Sequence, residues 1–238
     1  MFYWLISLSF ANPILSWVNA DGTVDYKRHT TDPVHQNWVN SLSTVDIPTD
    51  SKAAKAFWLN TYNALTIHVV LSAYPISSIR DIDNGSVWKT QRFEIGGETL
   101  SLDDIEHRKL GAFKDPRTHA ALSCASLGCP KLQVQPYLAA SLDKQLNQAA
   151  RAWVAHNAYS YDNGWFSNTL YVNAIFDWYA ADFPVDSNGF INPSIPKKYH
   201  GPAQFIYQHG DAKTRTFLEN TTTVSLQEYN WALNDAQP

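Results

Sequence analysis

The longest apolar run of the chain extends from about Lys52 to Ala73 and is apolar on nearly every side of a helical projection. A helix without a polar face belongs inside a protein, so this segment is the expected central helix. Three polar residues interrupt it: Asn60, Asn63 and His68. Asn60 and Asn63 are three apart, and Asn60, Ala64 and His68 follow one face. Asparagine disfavours a helix interior and an unpaired buried amide is costly, so both amides must bond to other segments. They either tie loops to the helix or orient a ligand. His68 taken alone reads first as a satisfied core histidine.

Leu138, Leu142, Leu146, Ala149, Trp153 and Val154 recur at helical spacing and predict an amphipathic helix from about Pro136 to Asn157. Shorter helices are expected at 12–19, 34–43, 177–183, 202–208 and 211–219. Turn signals at Gly96-Gly97 and Asn163-Gly164 predict two hairpins, pairing 87–95 with 98–100 and 159–161 with 169–173. Pro116 keeps Asp115 out of a helix, and 117–124 reads as a further short strand before a tight loop at 125–130. The Pro/Gly/Asn segment 184–201 reads as a lid or insertion. The expected architecture is a single α+β domain over 12–235, a small, mainly antiparallel sheet wrapped by helices.

Residues 1–11 are apolar and uncharged. They are kept apart as an atypical export signal, which would put the protein in the periplasm or outside the cell. The basic residues that normally open such a signal are missing, and Pro13 interrupts the run. Asn12-Pro13 would also sit in the middle of any membrane helix, so no stable span is expected.

The 238 residues suffice for one sizeable core. The net charge of -4, with no basic run, argues against nucleic acid as a partner. No phosphate-cradling glycine loop and no second close Cys/His pair is present, so neither a cofactor nor a metal is expected. Nine Trp and twelve Tyr suit a groove for an extended or sugar-like ligand, although core packing is their commoner use.

Candidate chemistry gathers between Asp115 and Pro130. Both cysteines, Cys124 and Cys129, fall there five positions apart among small residues. Ala125, Ser126 and Gly128 leave backbone N–H groups unshielded, the makings of an anion-binding nest that would acidify Cys124. Alternation along a strand sets Arg117 and His119 on the face opposite Cys124, so a base must come from elsewhere or the alternation must be reset. His107 is the first choice. It follows the capping box Ser101-Leu102-Asp103-Asp104 and has Asp103 at i−4 and Asp104 at i−3, placed to fix its tautomer. The same charges also suit the dipole of that helix. Cys124 thus has three open readings: a bridge to Cys129 in an oxidising compartment, an inert buried thiol, or a nucleophile.

Five ordered blocks carry a resemblance. They are Phe57-Trp58-Leu59-Asn60-Thr61-Tyr62-Asn63-Ala64-Leu65, Leu100 to His107, Pro116 to Cys124, Trp178-Tyr179-Ala180-Ala181-Asp182-Phe183, and Trp231-Ala232-Leu233-Asn234. Across roughly 12–235 the chain resembles the domain of unknown function 547 family, which includes bacterial proteins, often exported, and plant proteins with the domain behind a coiled coil. The resemblance implies no reaction, but Cys124, Arg117, His119, Glu106, His107, Asn60 and Asn63 stand at its motif positions. Two expectations follow. One is a thiol-dependent hydrolase or acyl transferase acting on a peptide or amide bond. Cys124 would be its nucleophile, His107 (second choice His119) its base, and Asp103, Asp104 or Glu106 the group orienting that base. The 125–128 amides would hold an oxyanion, and Arg117, with Asn60 and Asn63 nearby, would bind substrate. The other is a non-catalytic domain that binds a peptide or glycan and uses its cysteines structurally.

Overall fold

Asp50 starts the central helix by accepting a hydrogen bond from the Ala53 N–H, and the helix then runs Ser51–Ala73. It is buried without a break from Thr61 to Leu71, as its all-round apolarity requires. Tyr74, ahead of Pro75, is extended and ends it. The computed structural model describes residues 13–165 and 167–236, and the proposed export segment 1–11 lies outside these.

Of the longer helices, Val34–Ser41 packs on this element, while Leu142–His156 packs on His200–His209 and that in turn on Ala212–Glu219. One apolar cluster forms about the central helix, with Leu59, Leu65, Ile67, Ile95 and Leu102 fully buried. A second lies about Trp153, Phe176, Phe205 and Phe217. The strands are peripheral. β1 (Phe93–Ile95) and β2 (Glu98–Leu100) form an antiparallel hairpin with Phe93 opposite Leu100. β3 (Tyr159–Asn163) and β4 (Asn168–Val172) form another, and β5 (Thr223–Leu226) joins β4 in parallel. The fold is α+β, with one two-stranded antiparallel sheet and one three-stranded mixed sheet. Among the described residues no helix is long and apolar enough to cross a membrane.

The amphipathic helix expected from about Pro136 begins at Leu142, after a 3-10 turn at Ala139–Ser141, and three further segments depart from the pattern-based expectation. Residues 117–124 are not a strand: Thr118–Ala121 is a helical turn, and the chain becomes extended only at Leu122. The Asp115 carboxylate accepts the Arg117 N–H and the Asp115 carbonyl accepts the Thr118 N–H. Pro116 thus falls in the first turn, where proline is well tolerated. The segment expected as a strand from Val87 begins as the helix Val87–Thr90, and only Phe93–Ile95 pairs. Residues Pro13–Trp17 form a 3-10 turn in place of a longer first helix, with Leu15 and Val18 buried. The 184–201 segment is pinned by Asn192, whose amide donates to the carbonyls of Leu218 and Thr221.

The two helix asparagines are structural ties. Asn60 is half-buried and donates to the Tyr137 carbonyl at 2.9 Å while accepting the Tyr137 N–H at 2.8 Å. Asn63 is buried, donates to the Ala121 carbonyl at 2.9 Å and accepts the Ser123 N–H at 3.0 Å. His68 is also internal. Its Nδ1 lies 2.8 Å from Nδ1 of His35, and burial lowers its pKa to about 4, so it stays neutral at pH 7. Replacing Asn63 with alanine would orphan two buried backbone groups, so Asn63→Ala should cost about 3 kcal/mol in urea unfolding at pH 7. Asn60→Ala should cost less, since solvent can reach that site.

Candidate functional site

The segment after the helical turn is clamped on both edges. Asn63 holds Ala121 and Ser123 from below. The amides of Leu127 and Gly128 donate to the carbonyls of Ala232 and Asn230, and the Asn234 N–H donates to the Ala125 carbonyl. The amide of Asn157 reaches the Leu127, Gly128 and Cys129 carbonyls, and Asn173 adds a bond to Gly128. Ala125 takes the left-handed conformation at φ 59°, which folds the loop back on itself. Within it Cys124 and Cys129 are joined as a disulfide, with Cα atoms 6.2 Å apart. The anion nest expected at 125–128 is therefore filled, because the final segment consumes two of its amides. Gly128 is required for close approach: a Cβ there would lie 2.8 Å from the Tyr229 ring.

The disulfide borders a cleft of about 490 Å³. One wall is a run of aromatic rings. Trp178 stacks on Trp231 at 5.6 Å, Trp88 meets Trp231 edge-on at 6.1 Å, and Tyr229 packs 4.9 Å from Trp178 and 4.5 Å from Trp231. Arg80 covers the far side of Trp231 at 5.0 Å. A further part of the lining comes from the π-helical stretch Ile105–Leu110, which follows the short helix Leu102–Asp104. Such wide turns often mark functional positions, and this one carries Glu106 and His107. The Tyr62 hydroxyl donates to Glu106 at 2.9 Å, and the Tyr179 phenol feels the charge of the same carboxylate. Burial, then the Glu106 charge, raises the pKa of both phenols, so they remain donors.

His119 is buried in this wall. Its Nε2 lies 2.9 Å from an Asp182 carboxylate oxygen, and its ring stacks on Tyr179 at 4.6 Å and Phe183 at 5.4 Å. His107 is exposed, with Nε2 at 3.6 Å from Asp103. A second hollow of about 420 Å³ lies beyond the Glu106, His107 and His119 waist, lined also by Lys114, Thr118 and Asp182.

Cys124, Glu106, His107, His119 and Asp103 thus border one cleft. The helical turn at Thr118–Ala121 resets the alternation that a strand would have imposed, which is how His119 and Cys124 come to share it. In the bridged state Cys124 is not a free thiol. Its sulfur neighbours Ser126 Oγ at 3.2 Å and Tyr229 Oη at 3.1 Å. Asp104 sits apart, accepting from the Ser101 backbone and from Arg92 and Arg108. Asn60 and Asn63 serve the loops behind the cleft. Arg117 faces Asp115 at 2.7 Å, Asp143 at 3.2 Å and Asn147 at 3.0 Å, so its guanidinium is spent within the fold.

Sequence reasoning did not nominate Tyr62, Trp88, Trp178, Tyr179, Tyr229 or Trp231 for the site. The signal was present for some of them, since Trp178-Tyr179 and Trp231 belong to the recurring blocks. What a linear reading lacks is the bend that carries the last segment back to the Cys124 loop.

The family model described as "Protein of unknown function, DUF547" matches residues 48–154, and over that stretch the chain resembles this family. The match takes in the central helix, Glu106, His107, His119 and both cysteines. No curated protein and no solved structure matches the chain.

Behind the second hollow lies a charge cluster with a definite pH signature. Burial alone would raise the Asp115 carboxyl, but hydrogen bonds from Arg117 and from Lys55 at 2.6 Å outweigh it and hold the pKa to about 2. Burial draws Lys55 below its ordinary value even so, because one carboxylate is shared between two cations. A carboxyl whose folded pKa is depressed stabilises the fold above the ordinary value of 3.8. That contribution, about 2 kcal/mol, should disappear as the pH falls from about 4 to about 2. Asp115→Asn should flatten the acid limb of the stability profile and lower stability at pH 7, measured by urea unfolding at each pH.

Proposed function

We propose that this protein is a saccharide-binding domain, with the cleft between the Trp88/Trp178/Trp231 wall and Glu106 as its site. The observation that carries this reading is the contiguous set of indole and phenol rings that shares the cleft with a carboxylate held by the Tyr62 hydroxyl. Flat apolar rings suit the C–H faces of pyranose rings, and Glu106, Asp103 and His107 supply acceptors and a donor for hydroxyls. An extended peptide would commonly be read by an unpaired sheet edge, and no strand residue lines this cleft. The disulfide supports placement in an oxidising compartment such as the periplasm or the extracellular space.

A second reading has one observation behind it. If the bridge is reduced, Cys124 becomes a half-buried thiol in the same cleft as His107 and His119, the arrangement from which a hydrolase or acyl transferase works. Amide or ester cleavage that appears only with reductant, and is lost in Cys124→Ser, would favour that enzyme over the binding domain.

The binding reading predicts that a panel of neutral and acidic oligosaccharides contains a ligand that quenches tryptophan fluorescence on titration. Trp178→Ala and Glu106→Gln should each weaken that ligand about tenfold or more, with the urea midpoint little changed for Trp178→Ala, whose ring is half-exposed. Absence of any oligosaccharide ligand for the oxidised protein would overturn it.

A further inference from the structure

The two sulfurs of the bridge occupy different surroundings. Cys124 is half-buried on the cleft side, whereas Cys129 is only 5% exposed. Cys129 Sγ accepts the Cys124 backbone N–H at 2.9 Å, and Tyr229 Oη lies 3.1 Å from each of the two sulfurs. The Ser126 hydroxyl donates to Tyr229 Oη at 3.0 Å, which leaves the phenol proton free to point at sulfur. Burial raises the Tyr229 pKa, so that proton is retained at neutral pH. Both cysteines line the cleft, but Cys124 is the more exposed, and Cys129 Sγ alone adds a backbone N–H to the phenol that reaches either sulfur, a setting that favours its thiolate.

We infer that the Cys124–Cys129 bridge is a redox-active disulfide that exchanges with small thiols entering the cleft. An incoming thiolate attacks Cys124 Sγ and forms a new sulfur–sulfur bond. The Cys124–Cys129 bond breaks and its electron pair passes to Cys129 Sγ, held there by the Cys124 N–H and the Tyr229 hydroxyl. A second thiolate then attacks the incoming sulfur of the mixed disulfide and expels Cys124 as a thiolate. Two thiols have become one external disulfide, the bridge has taken up two electrons, and the two protons of the consumed thiols end on the cysteines. A second compound of the disulfide class re-forms the bridge by the same steps reversed.

The fold tolerates this cycle. The bridge spans only five positions, where a cross-link restrains the unfolded chain least. The loop is held without it by Asn63, Asn157, Asn173 and the strand-like pairing of Ser126 with Leu233. Both sulfurs therefore stay in place to close again. The inference does not depend on saccharide binding, since a small thiol needs only access to Cys124.

The test uses the full chain with reduced glutathione as the probe, read by intact mass after acid quench and alkylation. The native protein should be reduced in buffer at a rate well above that of its global unfolding. Cys129→Ser should accumulate a glutathione adduct on Cys124 after exposure to oxidised glutathione, and Cys124→Ser should accumulate at least about tenfold less on Cys129. Tyr229→Phe, checked for an unchanged urea midpoint, should slow bridge reduction about tenfold. Reduction only on unfolding, equal labelling of the two cysteines, or a Tyr229→Phe rate equal to that of the parent would each overturn the inference.

Discussion

A single buried amide sets the course of the chain that brings His119 and Cys124 to the cleft. Asn63 stands on the central helix with no solvent to satisfy it, and its two polar atoms fit one stretch of chain: the carbonyl of Ala121 and the N–H of Ser123. Between those groups the backbone changes from helical to extended. The amide therefore stabilises a conformational break, and the break directs Cys124 into the cleft while leaving His119 in its wall. Asn60 acts in the same way on Tyr137. A helix that is apolar all round could have packed in several rotations, and the two amides restrict it to one by coupling burial to specific hydrogen bonds.

The elements with strong periodicity were legible in the sequence. The central helix, the amphipathic helix ending at His156, both hairpins and the Ser101–Asp104 capping box follow directly from pattern and turn chemistry. The burial of Asn63 was also readable, because a polar residue on a helix without a polar face has to find partners. The 117–124 segment was not legible, since its small residues suit a helical turn and a strand equally. An Asx turn before proline decided between them. The π-helical stretch at Ile105–Leu110 was equally hidden, because a wide turn has no composition of its own, yet it sets where Glu106 points.

The lining of the candidate cleft was half legible. Residues of the central blocks, Cys124, Glu106, His107 and His119, could be named because unusual side chains cluster there. The aromatic wall could not be inferred, because tryptophan in a sequence is ambiguous between core and surface until its neighbours are known. Arg117 is the converse case. Its placement beside reactive residues suggested a ligand contact, but the acidic residues that engage it, Asp115 and Asp143, use up its donors. A charged side chain is free for a ligand only after the internal account of opposite charge has been settled.

The return of the last segment across the Cys124 loop divides the cleft by origin. The half that carries sulfur, carboxylate and imidazole lies within residues 48–154, the stretch that the family model matches. Trp178, Tyr179, Tyr229 and Trp231 lie outside it and are brought in by later parts of the chain. Trp88 is the exception, since it joins the aromatic wall from within the matched stretch. The aromatic surface of the cleft is thus assembled mainly from later residues, and its sulfur, carboxylate and imidazole from earlier ones.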